Sequence, residues 1–499
     1  MKSLLSVAAS LAIGGLLTGC LPETGQTVKD TDKANPLLAE RLTSVPNTRR
    51  AKNVILFIGD GMGVSTVTAG RIMEGQLRGE PGEENFLSFE TFPHTSLVKT
   101  YNVNAQVPDS AGTASAMNTG VKTNIGMFGI GPDQPKGTCE GSKAHELTTI
   151  AEYAEMAGMA TGVVSTATLT HATPGAVYAH VADRGWEGDA RLSAEARTGG
   201  CKDIARQLIE FPYGDGIDVA LGGGKSFFFP VDESKQDQPA GTRTDQRNLA
   251  NEWLASSKNA VYVDNRTDLA GVDTDATSRL LGLFTNSHMN FEADRPENEP
   301  SLSDMTESAI KILSNNDQGF FLMVEAGRID HAHHGGNAYR ALHDVVALSK
   351  AVNKAVEMVD MDETLIIVTA DHSHVMTMAG YPKRGNPILG LVSSPEQADG
   401  EYKLAGDEKP YSTLGYMNGP GAVSGERETL THVMATHPDH RQQALIPMRS
   451  ETHGGEDVPL YASGPWAHLV SGTMEQNLVF HVIEHALDLK KRAGDTKAD

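Results

Sequence analysis

The stretch FFLMVEAGRIDHAHHGG, residues 320–336, constrains the fold more than any other part of the chain. Phe320 to Val324 form a short, continuous apolar run, the pattern of a strand buried on both faces. At its carboxyl end stand Glu325, a glycine turn, and then Asp330 and His334 four residues apart. If residues 329–334 are helical, that spacing sets a carboxylate and an imidazole on one face. The arrangement recurs: NVILFI (residues 53–58) runs into Gly59, Asp60 and Gly61, and TLIIVT (364–369) into Ala370, Asp371, His372, Ser373 and His374. Strands buried on both faces belong to parallel sheets flanked by helices, and such sheets place their sites beyond the strands' carboxyl ends. Oxygen and nitrogen ligands gathered there suit a divalent metal, zinc most naturally. Taken singly, each segment has a blander reading: a loop of solvated histidines, or, at Asp60, a helix-initiating aspartate.

The chain of 499 residues is 39% hydrophobic and 21% charged, enough to fill a sizeable core. Its net charge of −22, with no basic stripe, excludes nucleic acid as a partner. An anionic substrate must therefore be drawn in by local positive charge. The first twenty residues read as a targeting segment, with Lys2, the apolar stretch Leu4 to Leu17, and Leu17-Thr18-Gly19-Cys20. That tetrapeptide resembles a bacterial lipobox, in which Cys20 would carry the lipid; an ordinary signal peptide with a chance cysteine is the alternative. The lipid on Cys20 would be the sole membrane attachment, placing the protein in a bacterial cell envelope, periplasmic or surface-exposed. In an oxidising compartment Cys139 and Cys201 read as one disulfide, with two buried thiols the competing view.

Along the chain, residues 21–50 form a polar tether and arm. An α/β core is expected over 51–384 and again over 451–490, with an inserted, loop-rich subdomain over 385–450 and a polar tail over 491–499. Within the core, a short helix opens at Ser110 in VPDSAGTASA, where unpaired N–H groups favour an alkoxide or a bound phosphate. Ser110 as a plain helix cap is the other reading of that position. Helices are expected over 145–158, 201–211, 304–315, 338–358 and 474–490, and strands over 160–165, 217–221 and 458–462.

Six segments, in order, carry a resemblance: NVILFIGDGMG, VPDSAGTASA, HATPGAVYAHVADR, FLMVEAGRIDHAHHGG, TLIIVTADHSH and ETHGGEDV. The chain resembles the alkaline phosphatases from about Lys52 to Leu489, and is closer to their animal-tissue branch than to the enteric bacterial type. The resemblance implies a central, mostly parallel sheet with helices on both faces. It implies hydrolysis of small phosphate monoesters through a phosphoserine, with two zinc ions and one magnesium ion per subunit, in a homodimer. Asp330, His334 and His453 would hold the first zinc; Asp371, His372 and Asp60 the second. Asp60 would bridge to magnesium, held also by Thr173 and Glu325. Ser110 would be the nucleophile, and Arg184, oriented by Asp109, would clamp two phosphate oxygens.

His171 and His331 stand where the enteric type has an aspartate and a lysine, and match the animal branch. They would surround the third metal and the phosphate without ligating directly; His374, two residues from His372, would support the ligands in the same indirect way. His180, His288, His333 and His343 are expected to be structural or supporting. Thr285 after Phe284, and the short 229–241 loop, argue against the calcium site of that branch. Cys139 and Cys201 match one of its disulfides, and 385–450 corresponds to the crown at the family's dimer interface. A phosphodiesterase or sulfatase of the same superfamily is the enzyme alternative, but each wants a different nucleophile context from DSAG.

Overall fold

The computed structural model describes residues 38, 42–43, 45–231 and 241–494. Residues 1–45 form a unit apart from residues 46–499, and it is the second unit that carries the fold below. The targeting segment, Cys20, most of the arm and the end of the polar tail lie outside the described residues.

Five apolar runs become strands that have no exposed residue and only one half-buried one: β1 (Asn53–Gly59), β3 (Ala160–Thr168), β4 (Val219–Gly223), β7 (Phe320–Ala326) and β8 (Thr364–Thr369). Since successive side chains point to opposite faces, burial along a whole strand means that both faces of the sheet are covered. With β2 (His94–Lys99), β5 (Ala260–Val263), β6 (Arg279–Leu283), β14 (Val458–Ser463) and β15 (Thr473–Glu475) they make a ten-stranded sheet, in the order β15-β2-β14-β8-β1-β7-β3-β4-β6-β5. β14 runs antiparallel to both neighbours and the remaining pairings are parallel.

Parallel neighbours in register bring their carboxyl ends to one edge. Ile58 pairs with Glu325 and with Thr369, and Ser165 pairs with Glu325. Asp60, Glu325 and Asp371 therefore emerge side by side, which is how residues hundreds of positions apart come to share a site. A two-stranded ribbon, β9 (Ser373–His374) with β13 (His453–Gly454), sets His453 opposite His374.

Several boundaries move from their expected places. The 145–158 helix begins only at Ile150, because Thr149 and Glu152 form a reciprocal capping box there. Met474 lies in strand β15, and the terminal helix covers Leu478–Leu487. Asp109, not Ser110, caps the helix Ser110–Thr119; its side chain accepts from Gly112 N–H. Residues 385–450 are mostly loops but supply β11 (Leu414–Gly419) and β12 (Ala444–Pro447), which join β10 (Met376–Met378) in a small sheet of their own. The cysteines form the disulfide Cys139–Cys201, with Cα atoms 5.9 Å apart.

Candidate active site

Beyond the strand ends the predicted ligands converge in three overlapping groups. In the first, His334 Nε2 lies 3.2 Å from Asp330 Oδ1, and His453 Nε2 lies 3.2 Å from His334 Nε2 and 3.4 Å from Asp330 Oδ1. The helix Arg328–His334 places Asp330 and His334 one turn apart, as the spacing predicted. In the second, His372 Nε2 lies 3.3 Å from both Asp60 Oδ1 and Asp371 Oδ2. In the third, Asp60 and Glu325, with His171, which was expected to stand beside the metal without ligating it, each bring one ligand atom within 4.8 Å of the others. Gly61 lets the turn that carries Asp60 pass close to His374: at φ +69° a Cβ would lie 2.3 Å from the His374 ring.

The electrostatics are those of carboxyl groups crowded together and buried. Asp60, Glu325 and Asp371 are fully buried. Both carboxylate oxygens of Asp60, Oε1 of Glu325 and Oδ2 of Asp371 have no hydrogen-bond donor, nor does Thr173 Oγ1 find a partner. Burial, and then the neighbouring Asp371, Asp330 and Glu325, drive the Asp60 carboxyl well above its ordinary range. Burial pushes Glu325 up to about 7 although its Oε2 accepts from Ser165 Oγ. Orphaned, like-charged buried oxygens are costly unless a cation meets them. The Asp330/His334/His453 and Asp60/Asp371/His372 sets have the mixed nitrogen and oxygen donors of zinc, and Asp60/Glu325/Thr173 the oxygens of magnesium. The residues present therefore fit divalent metals.

Ser110 opens its helix with Oγ 3.1 Å from His372 Nε2. Asp109 is held by four donors: Asn102 Nδ2, Gly112 N, Gly126 N and Arg184 Nη1, at 3.0–3.2 Å. Burial resists its ionisation, but Arg184 and the two backbone donors outweigh that and keep the carboxylate below its usual range. Arg184 Nη2 lies 3.1 Å from His171 Nε2, and burial with the guanidinium beside it keeps that imidazole neutral. His331 and His288 pack against His171 with ring centroids 5.3 Å away, and burial depresses them to about 3 and about 4.

His374 supports the first group rather than standing apart from it. Its Nε2 lies 2.8 Å from Asp330 Oδ1 and its Nδ1 2.5 Å from Glu451 Oε2. Burial opposes a charge there, yet these two carboxylates raise it to about 9. Glu451, buried, also accepts from Val375 N–H, and its backbone carbonyl meets His334 Nδ1 at 2.6 Å. Sequence reasoning assigned it no role although it opens the ETHGGED segment. His333 is structural, bonded to Thr66 and Tyr416; His180 pairs with Glu152, and His343 with the Tyr339 carbonyl.

A family model described as "Alkaline phosphatase" matches residues 51–489. The chain belongs to the alkaline phosphatase family. It is 46% identical to the tissue-nonspecific alkaline phosphatase of Felis catus, over 95% of this chain and 92% of that protein. With the corresponding enzyme of Gallus gallus it shares 47% over 88% of this chain and 85% of the other. Among solved structures it is similar to the Thermus thermophilus alkaline phosphatase, with 25% identity, a TM-score of 0.63, and coverage of 91% and 97%. The alkaline phosphatase of the Antarctic bacterium TAB5, 23% identical with a TM-score of 0.61 over 88% of this chain and 99% of that one, shares the fold.

Proposed function

We propose that this alkaline phosphatase hydrolyses phosphate monoesters through Ser110, with two zinc ions and one magnesium ion in the three ligand groups. The observation that carries the reading is the set of buried, donorless oxygens of Asp60, Glu325 and Asp371, two of which flank the His372 imidazole that Ser110 Oγ touches. Asp330, His334 and His453 would hold one zinc, Asp60, Asp371 and His372 the other, and Asp60, Thr173 and Glu325 the magnesium. When bound, these ions supply the positive charge that stabilises the attacking and leaving oxygens of an in-line displacement.

The protein's own groups do the rest. Ser110 Oγ gives up its proton and bonds to phosphorus as the ester P–O bond breaks and the alcohol departs. Water then cleaves the phosphoserine, releasing inorganic phosphate and restoring the hydroxyl. Arg184, its Nη1 anchored on Asp109, offers its remaining N–H groups as a fork to two phosphate oxygens. The helix Ser110–Thr119 brings the positive end of its dipole to the same place, with Ser110 as its first residue. His171 and His331, held neutral by burial, would border the magnesium and phosphate without ligating.

The assay that tests this compares a phosphate monoester, a diester and a sulfate ester at alkaline pH, with and without chelator. Monoester turnover abolished by chelation and restored by zinc plus magnesium is expected. A zinc-loaded enzyme that turns over diesters or sulfates in preference would overturn it.

We further propose a homodimer tethered to a bacterial envelope membrane through lipid on Cys20. The dimer reading is supported by apolar side chains left exposed around the small sheet, among them Leu445, Ile446 and Met417. The tether is supported by the lipobox-like segment. A monomer by light scattering, or a Cys20→Ser variant that still fractionates with membranes, would count against each in turn.

A further inference from the structure

The segment that carries Arg184 also carries Glu187, a carboxylate that is 9% exposed and contacts none of the ligand groups. Its Oε2 accepts two hydroxyls, from Thr168 Oγ1 at 2.8 Å and Thr170 Oγ1 at 2.7 Å, while Oε1 accepts from the half-exposed Arg191. Thr168 ends β3, and Thr170 immediately precedes His171 and, two residues later, Thr173. From the other side, His288 Nδ1 accepts the Thr168 N–H at 3.1 Å. Arg184 in turn touches His171 at 3.1 Å. The contacts close a ring: Arg184, two residues of chain, Glu187, Thr170, His171 and back to Arg184.

We propose that Glu187 is a positioning residue for phosphate: by gripping the Thr168 and Thr170 hydroxyls it fixes the His171 turn against the Arg184 loop and so sets the aim of the guanidinium. The His171 turn and the Arg184 loop lie on either side of the helix Ala172–Tyr178, and among the described residues no backbone hydrogen bond joins them to hold their spacing. One carboxylate oxygen shared by two hydroxyls of one loop supplies that spacing at a single point. Small misplacement of a bidentate clamp weakens anion binding far more than it alters the fold. The inference rests on Arg184 being the phosphate clamp, and its test separates the two.

The test uses the zinc- and magnesium-loaded enzyme, a phosphate monoester as substrate and inorganic phosphate as inhibitor. Glu187→Ala is expected to raise both KM and the phosphate inhibition constant about tenfold, with kcat changed by less than about threefold, the pattern of lost binding common to ground and transition states. Glu187→Gln, whose amide oxygen still accepts both hydroxyls, should restore both constants to within about twofold of the parent. A role in stability alone would lower Tm and the active fraction and move neither constant. The double variant Thr168→Val/Thr170→Val removes the donors instead, and decides the matter if Glu187→Ala does not fold. If Arg184→Ala raises both constants while the Glu187 and threonine variants leave them unchanged, the positioning role is overturned. If Arg184→Ala itself leaves them unchanged, the clamp reading fails and the proposal with it.

Discussion

The two edges of the central sheet both bury carboxyl groups, and they resolve the same electrostatic problem in opposite ways. At the carboxyl edge, Asp60, Glu325 and Asp371 keep oxygens with no donor. At the amino edge, Glu155 and Asp218 flank the start of β3, and there Thr161 answers them both: its Oγ1 donates to Glu155 Oε1 at 2.6 Å and its N–H to Asp218 Oδ2 at 2.7 Å. Burial raises Glu155 to about 9 and Asp218 to about 7, as it raises Asp60 and Glu325 at the carboxyl edge, but here each carboxyl has a hydroxyl or backbone donor. The carboxyl edge adds what the amino edge lacks: the imidazoles of His334, His372 and His453 beside the orphaned oxygens. Burial of acids alone does not mark a metal site. Acids left without donors and interleaved with imidazoles do.

The largest effect that sharpens this contrast belongs to Ser110. Ser110→Ala removes the nucleophile but no metal ligand, so kcat for monoester hydrolysis should fall by roughly 10⁴–10⁶ while bound zinc and Tm stay near the parent values. Residual activity within tenfold of the parent would remove Ser110 from the chemistry. A middle-sized effect belongs to Glu451, which orients His374 and, through it, Asp330. Groups that orient metal ligands are worth about 10–100-fold in metal affinity. Glu451→Gln should therefore give up zinc to a competing chelator that much more readily. Equal retention in parent and variant would reduce Glu451 to a packing residue.

Much of the carboxyl edge was legible from residue order because each strand there is a short apolar run and each ends in its own ligands. Asp330 and His334, at helical spacing, needed only local geometry, and the structure places them 3.2 Å apart. His453 and Ser110 could be joined to them only through the family resemblance, since no local pattern predicts which loops a sheet edge brings together. The misplaced boundaries have local causes. The capping box at Thr149 and Glu152 was present in the sequence but outweighed by the apolar periodicity around it. Strand β15 is three residues long and held by pairing with β2, so it left no period to detect. Glu187, in the segment GWEGD, has the look of a solvent-facing turn residue. Only the folded chain shows that two threonines from another loop reach it.

The smallest effect on activity, and the sharpest test of the amino edge, is Glu155→Gln. The folded-state value of Glu155 lies near 9, above the ordinary glutamate range near 4.5 that the unfolded chain adopts. Below that range both states carry the proton and the site costs nothing. As pH rises between the two values the unfolded state ionises while the folded state must keep its proton, so stability falls by roughly 1 kcal/mol per pH unit. Glutamine preserves the oxygen that accepts from Thr161 and has no proton to lose. The variant should therefore match the parent near pH 5 and gain on it steadily to about pH 9, read as diverging Tm curves, with kcat and metal content unchanged throughout. Parallel curves would mean that Glu155 is ionised in the folded state and that the amino edge balances charge with Arg279 rather than with protons. A change in metal content would mean that the two edges are not independent, and the contrast between them would have to be drawn along a different line.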